Sequence, residues 1–202
     1  MARTTSAITF LCRRSYRICA AERIGRHPEF PRPSRKHEYG KGAAMAKGIV
    51  IYYSKSGNTK KMAEIIAKAM NEAELPTECK SVSDVEADDL LAYDAIVIGS
   101  PTYYGQMAGL IKQLIDDTVS FHGKLDGKVA AAFSSSANIA GGNETTIMGI
   151  LEALLIAGCV VQGDPRGDHY GPVSIGKPDE RVERQCQRRG IRVAELTKKL
   201  LD

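Results

Sequence analysis

Gly48-Ile49-Val50-Ile51-Tyr52-Tyr53-Ser54-Lys55-Ser56-Gly57-Asn58-Thr59 is the stretch on which the reading of this chain turns. Its first half is a short β-branched and aromatic run without polar alternation, the pattern of a strand buried on both faces. Its second half is a short polar loop. Just beyond it, Met62, Ile65, Ile66, Ala69 and Met70 recur at the spacing of one helix face. A strand buried on both sides, feeding through a tight loop into an amphipathic helix, is the first half of a βαβ unit.

The same alternation continues outward. Pro76 to Val82 is a more weakly alternating second strand, Asp94 to Gly99 a third, and Gln106 to Asp117 a second helix. Lys128 to Ser134 is a fourth strand, and Asn143 to Ala157 a largely buried helix stopped by Gly158. Cys159-Val160-Val161 opens a fifth strand, and Asp179 to Leu201 is a long closing helix. Strands and helices alternating at this spacing predict an α/β fold, a doubly wound five-stranded parallel sheet with helices on both faces. Such sheets take ligands outside the carboxyl ends of their strands.

Three loops fall at those ends. In Ser54 to Thr59, hydroxyl residues surround one glycine, so backbone N–H groups, a helix dipole and side-chain donors can converge on an anion. GxxxxGK[ST] and GxGxxG are both absent, which argues against a nucleoside triphosphate and a dinucleotide fingerprint. The loop also lacks the Cys and Arg of a cysteine phosphatase and the acidic cluster of a receiver domain. Read alone, it serves equally as a turn capping a helix, with Asn58 or Thr59 as N-cap. The second loop, Ser100-Pro101-Thr102-Tyr103-Tyr104-Gly105-Gln106, offers flat apolar surface and hydrogen bonds to a ring. The third, Ser134-Ser135-Ser136-Ala137-Asn138 with Gly141-Gly142-Asn143-Glu144-Thr145-Thr146, leaves room for one. Surface turns and a flexible Ser/Gly linker are the bland alternatives for these two.

The chain has 202 residues, 43% hydrophobic and 26% charged, ordinary globular material that buries a core without disulfide staples. Five scattered cysteines with no CxxC or Cys/His grouping read as reduced thiols in a cytoplasmic protein, with no metal site expected. The net charge of +4 is uneven: residues 1–44 hold ten Lys/Arg against three Glu, leaving −3 for 45–202. A nucleic-acid partner is therefore not expected, and no apolar run is long enough for a membrane span. Residues 1–44 are expected to be a disordered basic extension. Transit peptide, tether and translation starting at Met45 compete as explanations, and Gly40-Lys41-Gly42, which a purine-rich stretch encodes, favours the last.

Taken in order, Ser-x-Ser-Gly-Asn-Thr, Pro-Thr-Tyr-Tyr-Gly and Ser-Ser-x-x-x-x-Gly-Gly-x-Glu-Thr-Thr resemble flavodoxin-like proteins, in particular their NAD(P)H:quinone oxidoreductase branch, first named as tryptophan-repressor-binding proteins. The resemblance runs from Lys47 to Leu196 and implies a flavodoxin-like sheet in the order 2-1-3-4-5. It implies FMN, with its phosphate held by Ser54, Ser56, Asn58 and Thr59 in a loop that includes Lys55 and Gly57. Pro101, Thr102, Tyr103, Tyr104 and Gly105, with Ser135, Ser136, Ala137, Asn138, Gly141 and Gly142, would border the flavin ring. The implied reaction passes two electrons from NAD(P)H through the flavin to a quinone, with Tyr103, Tyr104 and His169 as candidate proton or hydrogen-bond donors; an electron carrier is the competing class. Tyr103 stands where the family has Arg, Phe121 where it has a loop Trp, and Ile156-Ala157-Gly158 where it has His-His-Gly. Shorter segments before Leu90 and Val182 leave homodimer and homotetramer both open. His122, Lys60 and Lys61 are expected to be solvated.

Overall fold

Ile49, Ile51, Ile96 and Ile98 face one side of a central sheet, and Val50, Ala95 and Val97 the other, all fully buried. That two-sided burial explains the unbroken apolar runs, because helices cover both faces. The computed structural model describes residues 45–202; the expected basic extension 1–44 lies outside the described residues. The strands are β1 Gly48–Tyr52, β2 Thr77–Ser81, β3 Ala95–Pro101, β4 Val129–Ser136, β5 Val160–Val161 and β6 Val173–Ile175. The helices are α1 Asn58–Glu72, α2 Gly109–Asp117, α3 Asn143–Ile156 and α4 Glu180–Leu201, joined by short 3₁₀ turns at Val82–Asp84, Ala87–Ala92 and Thr118–Phe121. The sheet is parallel in the order β2-β1-β3-β4-β5, as the resemblance implied.

The fifth position is not one strand. β5 pairs with Val129 and Ala130, the chain then leaves the sheet over residues 162–172, and β6 resumes beside Ser134–Ser136. Asp164 pins this excursion to α4, with Arg188 donating to its carboxylate at 2.6 and 2.9 Å. α2 starts at Gly109 rather than Gln106, because Tyr103 and Gln106 exchange backbone bonds of 2.8 and 2.9 Å that close a tight turn. Its central residues, Tyr104 at φ 49° and Gly105 at φ 78°, give it type I′ character. α3, expected to be largely buried, leaves Leu155 and Ile156 exposed at its end. Phe121 packs in the core on the α2–α3 face, away from solvent.

α1 and α4 pack on the opposite face, and Gly190 lets them close. A Cβ there would lie 2.6 Å from the Ile66 carbonyl oxygen and 2.8 Å from Ala69 Cβ. Gly→Ala inside a helix ordinarily stabilises by about 1 kcal/mol. Here overpacking should reverse the sign, so Gly190→Ala is expected to lose about 1 kcal/mol in urea unfolding. A gain in stability would show that the two helices have slack between them.

Candidate functional site

The carboxyl ends of β1, β3 and β4 deliver the three loops to one rim of the sheet. Gly57 precedes α1 with φ 89°, a left-handed conformation, and no side chain caps the helix. Asn58 and Thr59 are thus the helix's first residues, not its caps. The first helical bond runs from Lys61 N–H to the Gly57 carbonyl, 2.9 Å. The N–H groups of Asn58, Thr59 and Lys60 therefore point out of the helix without acceptors in it. Ser54 Oγ accepts from Gly57 N–H at 3.1 Å and shapes the loop, while Lys55 and Ser56 are exposed. No carboxylate occurs between Ser54 and Lys61. Among the described residues a Cβ on Gly57 would meet nothing within 4 Å, so they leave the space over this turn open. Its donors fit a phosphomonoester.

Thr59 is tied inward as well. Its side chain is 1% exposed and its hydroxyl bonds Ser135 Oγ at 2.9 Å, tying the first loop to the third from inside.

The second and third loops are clamped together. Thr102 N–H donates to the Ser135 carbonyl at 2.8 Å, and Thr102 Oγ1 lies 2.9 Å from Thr146 Oγ1. Thr145 Oγ1 donates to the Gly105 carbonyl at 2.7 Å. Gly142 precedes α3 at φ 96°, and a Cβ on it would come 2.7 Å from Gly105 Cα. In the Gly-Gly-x-Glu-Thr-Thr block, then, Gly142, Thr145 and Thr146 hold the tyrosine turn in place. Within the third loop, Ser136 Oγ donates to the Asn138 carbonyl at 2.8 Å, and Gly141 N–H to the same oxygen at 3.2 Å. Ala137 and Asn138 stay exposed beside it, and Pro101 ends β3 opposite Ser135.

Tyr104 is fully exposed at the turn's tip. Tyr103 is tilted against Tyr53, ring centroids 6.2 Å apart. Partial burial, then the neighbouring Tyr53 hydroxyl, raise the Tyr103 phenol above its ordinary pKa and keep it a donor. Beside this pair lies an open cavity of about 450 Å³ that reaches Leu110 and Gln113 of α2. A second, of about 510 Å³, is bounded by Gly142, Asn143 and the β6 residues Val173 and Ile175. Tyr53, Thr145 and Thr146 were not among the expected site residues. The alternating faces of Tyr52-Tyr53 were the available signal for the first.

His169 is not brought to these loops. It sits in the 162–172 excursion, where its Nδ1–H donates to the Asp164 carbonyl at 2.7 Å and its own carbonyl accepts from Asp164 N–H at 3.0 Å. Because the fifth position is interrupted, this segment precedes β6 and lies against α4 rather than on the rim.

The chain belongs to the flavodoxin domain family, whose model matches residues 49–152. It is 40% identical to a protein of Aquifex aeolicus named flavodoxin, over 75% of this chain and 86% of that one. It is 32% identical to an Archaeoglobus fulgidus protein named NAD(P)H dehydrogenase (quinone), over 77% of this chain and all of the relative. Among solved structures, a flavodoxin from the domain Archaea superposes with a TM-score of 0.63 at 34% identity, covering 75% of this chain and 99% of that one.

Proposed function

We propose that this chain is an FMN-dependent oxidoreductase that carries out two-electron NAD(P)H:quinone reduction. The observation that carries the reading is the uncapped first turn of α1, facing open space at the end of a central strand among hydroxyl donors and no carboxylate. Ser54, Ser56, Gly57 and Asn58, with the N–H groups of Asn58 to Lys60, would hold the FMN phosphate. Thr59 would add its N–H while its hydroxyl braces the loop, and Lys55 would add positive charge. Pro101 to Gly105 and Ser135 to Gly142 would border the ring. Bound there, FMN supplies the two-electron redox chemistry.

The protein's share is placement. The Thr102, Thr145 and Thr146 bonds fix the tyrosine turn, so Tyr104 presents an aromatic face where planar co-substrates arrive from solvent. Tyr103, held protonated, offers a hydrogen bond to a carbonyl oxygen of the ring or of the acceptor. Assembly as a homodimer or homotetramer belongs to the same proposal and is supported by Val119 and Ile156, exposed along a groove of about 380 Å³ between α2 and α3. A cytoplasmic setting is supported by Cys79, Cys159 and Cys186, which form no disulfide among the described residues. No helix among the described residues is long and apolar enough to cross a membrane.

FMN-loaded protein is expected to oxidise NAD(P)H in the presence of 1,4-benzoquinone, forming one hydroquinone per NAD(P)H consumed. A second reading, an electron carrier without turnover of its own, is favoured by the name of the Aquifex aeolicus relative. No quinone-dependent turnover, with single-electron delivery to a protein acceptor, would select the carrier.

A further inference from the structure

We propose that Asn143 is a specificity-determining residue that recognises the carboxamide of the nicotinamide co-substrate, an inference that rests on the NAD(P)H reading above. The cavity of about 510 Å³ between the start of α3 and β6 has a size common among small-ligand sites. Val173 and Ile175 give it an apolar wall, and Asn143, Glu144 and Thr145 line it from the helix. Asn143 is only 8% exposed, yet it reaches this space. Its Nδ2–H donates to the Ser174 carbonyl at 3.4 Å, and of the two amide atoms only the nitrogen can face that acceptor. The carbonyl thus fixes which way the amide lies. Among the described residues nothing donates to Oδ1, which leaves an acceptor on a buried side chain without a partner beside an open cavity. The return of the chain as β6 therefore both builds the wall and orients the amide.

The chemistry of the cavity selects its occupant. Glu144 is exposed in the first turn of α3, where its carboxylate offsets the helix dipole and disfavours an anion. Oδ1 needs a donor, and a quinone, whose ring oxygens only accept, has none to give. A primary carboxamide meets both needs. Its NH2 satisfies Oδ1, and its oxygen can take an N–H from the first turn of α3, where no side chain caps the helix. Gly142 lines the same cavity and belongs to the loop that would border the flavin ring, so a nicotinamide anchored here stays beside that ring.

The test uses the FMN-loaded full chain with NADH and NADPH and with the 3-acetylpyridine counterpart of each, in which a methyl replaces the carboxamide NH2. Calorimetry gives Kd for the oxidised nucleotides, and KM with 1,4-benzoquinone as acceptor serves for the reduced ones. The unsubstituted protein is expected to hold the acetylpyridine nucleotide about tenfold more weakly, because Oδ1 then lacks its donor. In Asn143→Leu the natural nucleotide should weaken about tenfold, bringing the two within about twofold of each other. Asn143→Asp keeps an acceptor and should keep the preference. Ratios taken within one variant cancel any general loosening and the differing reduction potentials of the two nucleotides. Equal affinity for both nucleotides in the unsubstituted chain would overturn the proposal, as would an unchanged ratio in Asn143→Leu. Loss of FMN absorbance from a folded Asn143→Leu would also overturn it, and would assign the amide to the flavin. Failure of the unsubstituted chain to bind FMN or to oxidise NAD(P)H would instead remove the reading above, and this inference with it.

Discussion

A Gly57→Asp variant is expected to purify colourless. The substitution has two effects, and the structure separates them. Gly57 holds φ 89°, which costs an ordinary residue about 1–2 kcal/mol. No atom of the described residues lies within 4 Å of the added Cβ, so none of them clashes with it. The larger effect is charge. A carboxylate about 4 Å from a phosphate opposes binding by about 4 kcal/mol at an effective dielectric constant near 20, roughly a thousandfold in Kd. Gly57→Asn matches Asp in shape and tolerates the left-handed conformation better than most residues, so it should retain most of the flavin. The absorbance ratio of flavin to protein in the purified variants measures both. Stoichiometric yellow flavin on the Asp variant would remove the phosphate from this loop.

Asp164→Ala should be the most damaging change away from the rim. The Asp164 carboxylate is 4% exposed and takes two bonds from Arg188 and one from Arg166 N–H. Removing it leaves the Arg188 and Arg192 guanidiniums without their acid and frees the 162–172 excursion. Arg188 is about a third exposed, so water screens the pair and its loss costs about 2 kcal/mol, a fall of about 4–8 °C in Tm for a domain of this size. The same group sets an acid limit. Arg188 first, then the Arg166 N–H, hold the Asp164 carboxyl down from 3.8 to about 2. A lowered folded-state pKa means that the carboxylate's contribution is complete above about pH 4 and is lost as the pH falls through 2. Thermal midpoints between pH 4 and 2 should therefore fall more steeply in the unsubstituted chain than in Asp164→Asn. Parallel curves would mean that the pair contributes nothing in solution.

The parts legible in the sequence were those that periodicity governs. β1, β3 and β4 declare themselves as apolar runs because both their faces are covered, and α1 and α4 because one stripe of each is buried. Two features escaped for physical reasons. The start of α2 was misplaced because Tyr103 to Gln106 spends its hydrogen bonds on a turn, and apolar spacing is blind to a turn that puts Tyr104 at positive φ. The fifth position read as one strand because Val160-Val161 carries the only strong signal there, while β6 has three residues and the pairing that defines it lies in β4. At the site, the loops were legible from composition, but which hydroxyl faces which was not. Thr59 and Thr146 carry the same donor chemistry as an exposed threonine; only their burial shows that they brace loops from within. His169 looked apt because its place in sequence, after β5, stood in for its place in space.

The break between β5 and β6 has a consequence for how the molecule keeps to itself. An outermost strand with unspent amides is a template on which a stray chain can add, and repeated addition ends in fibrils. Here that margin is divided into pieces of two and three residues, too short to seat a foreign strand. The opposite margin carries Glu78 and Lys80, an ion pair that a newcomer would have to strip of water. Both flanks of this sheet are built to refuse extension.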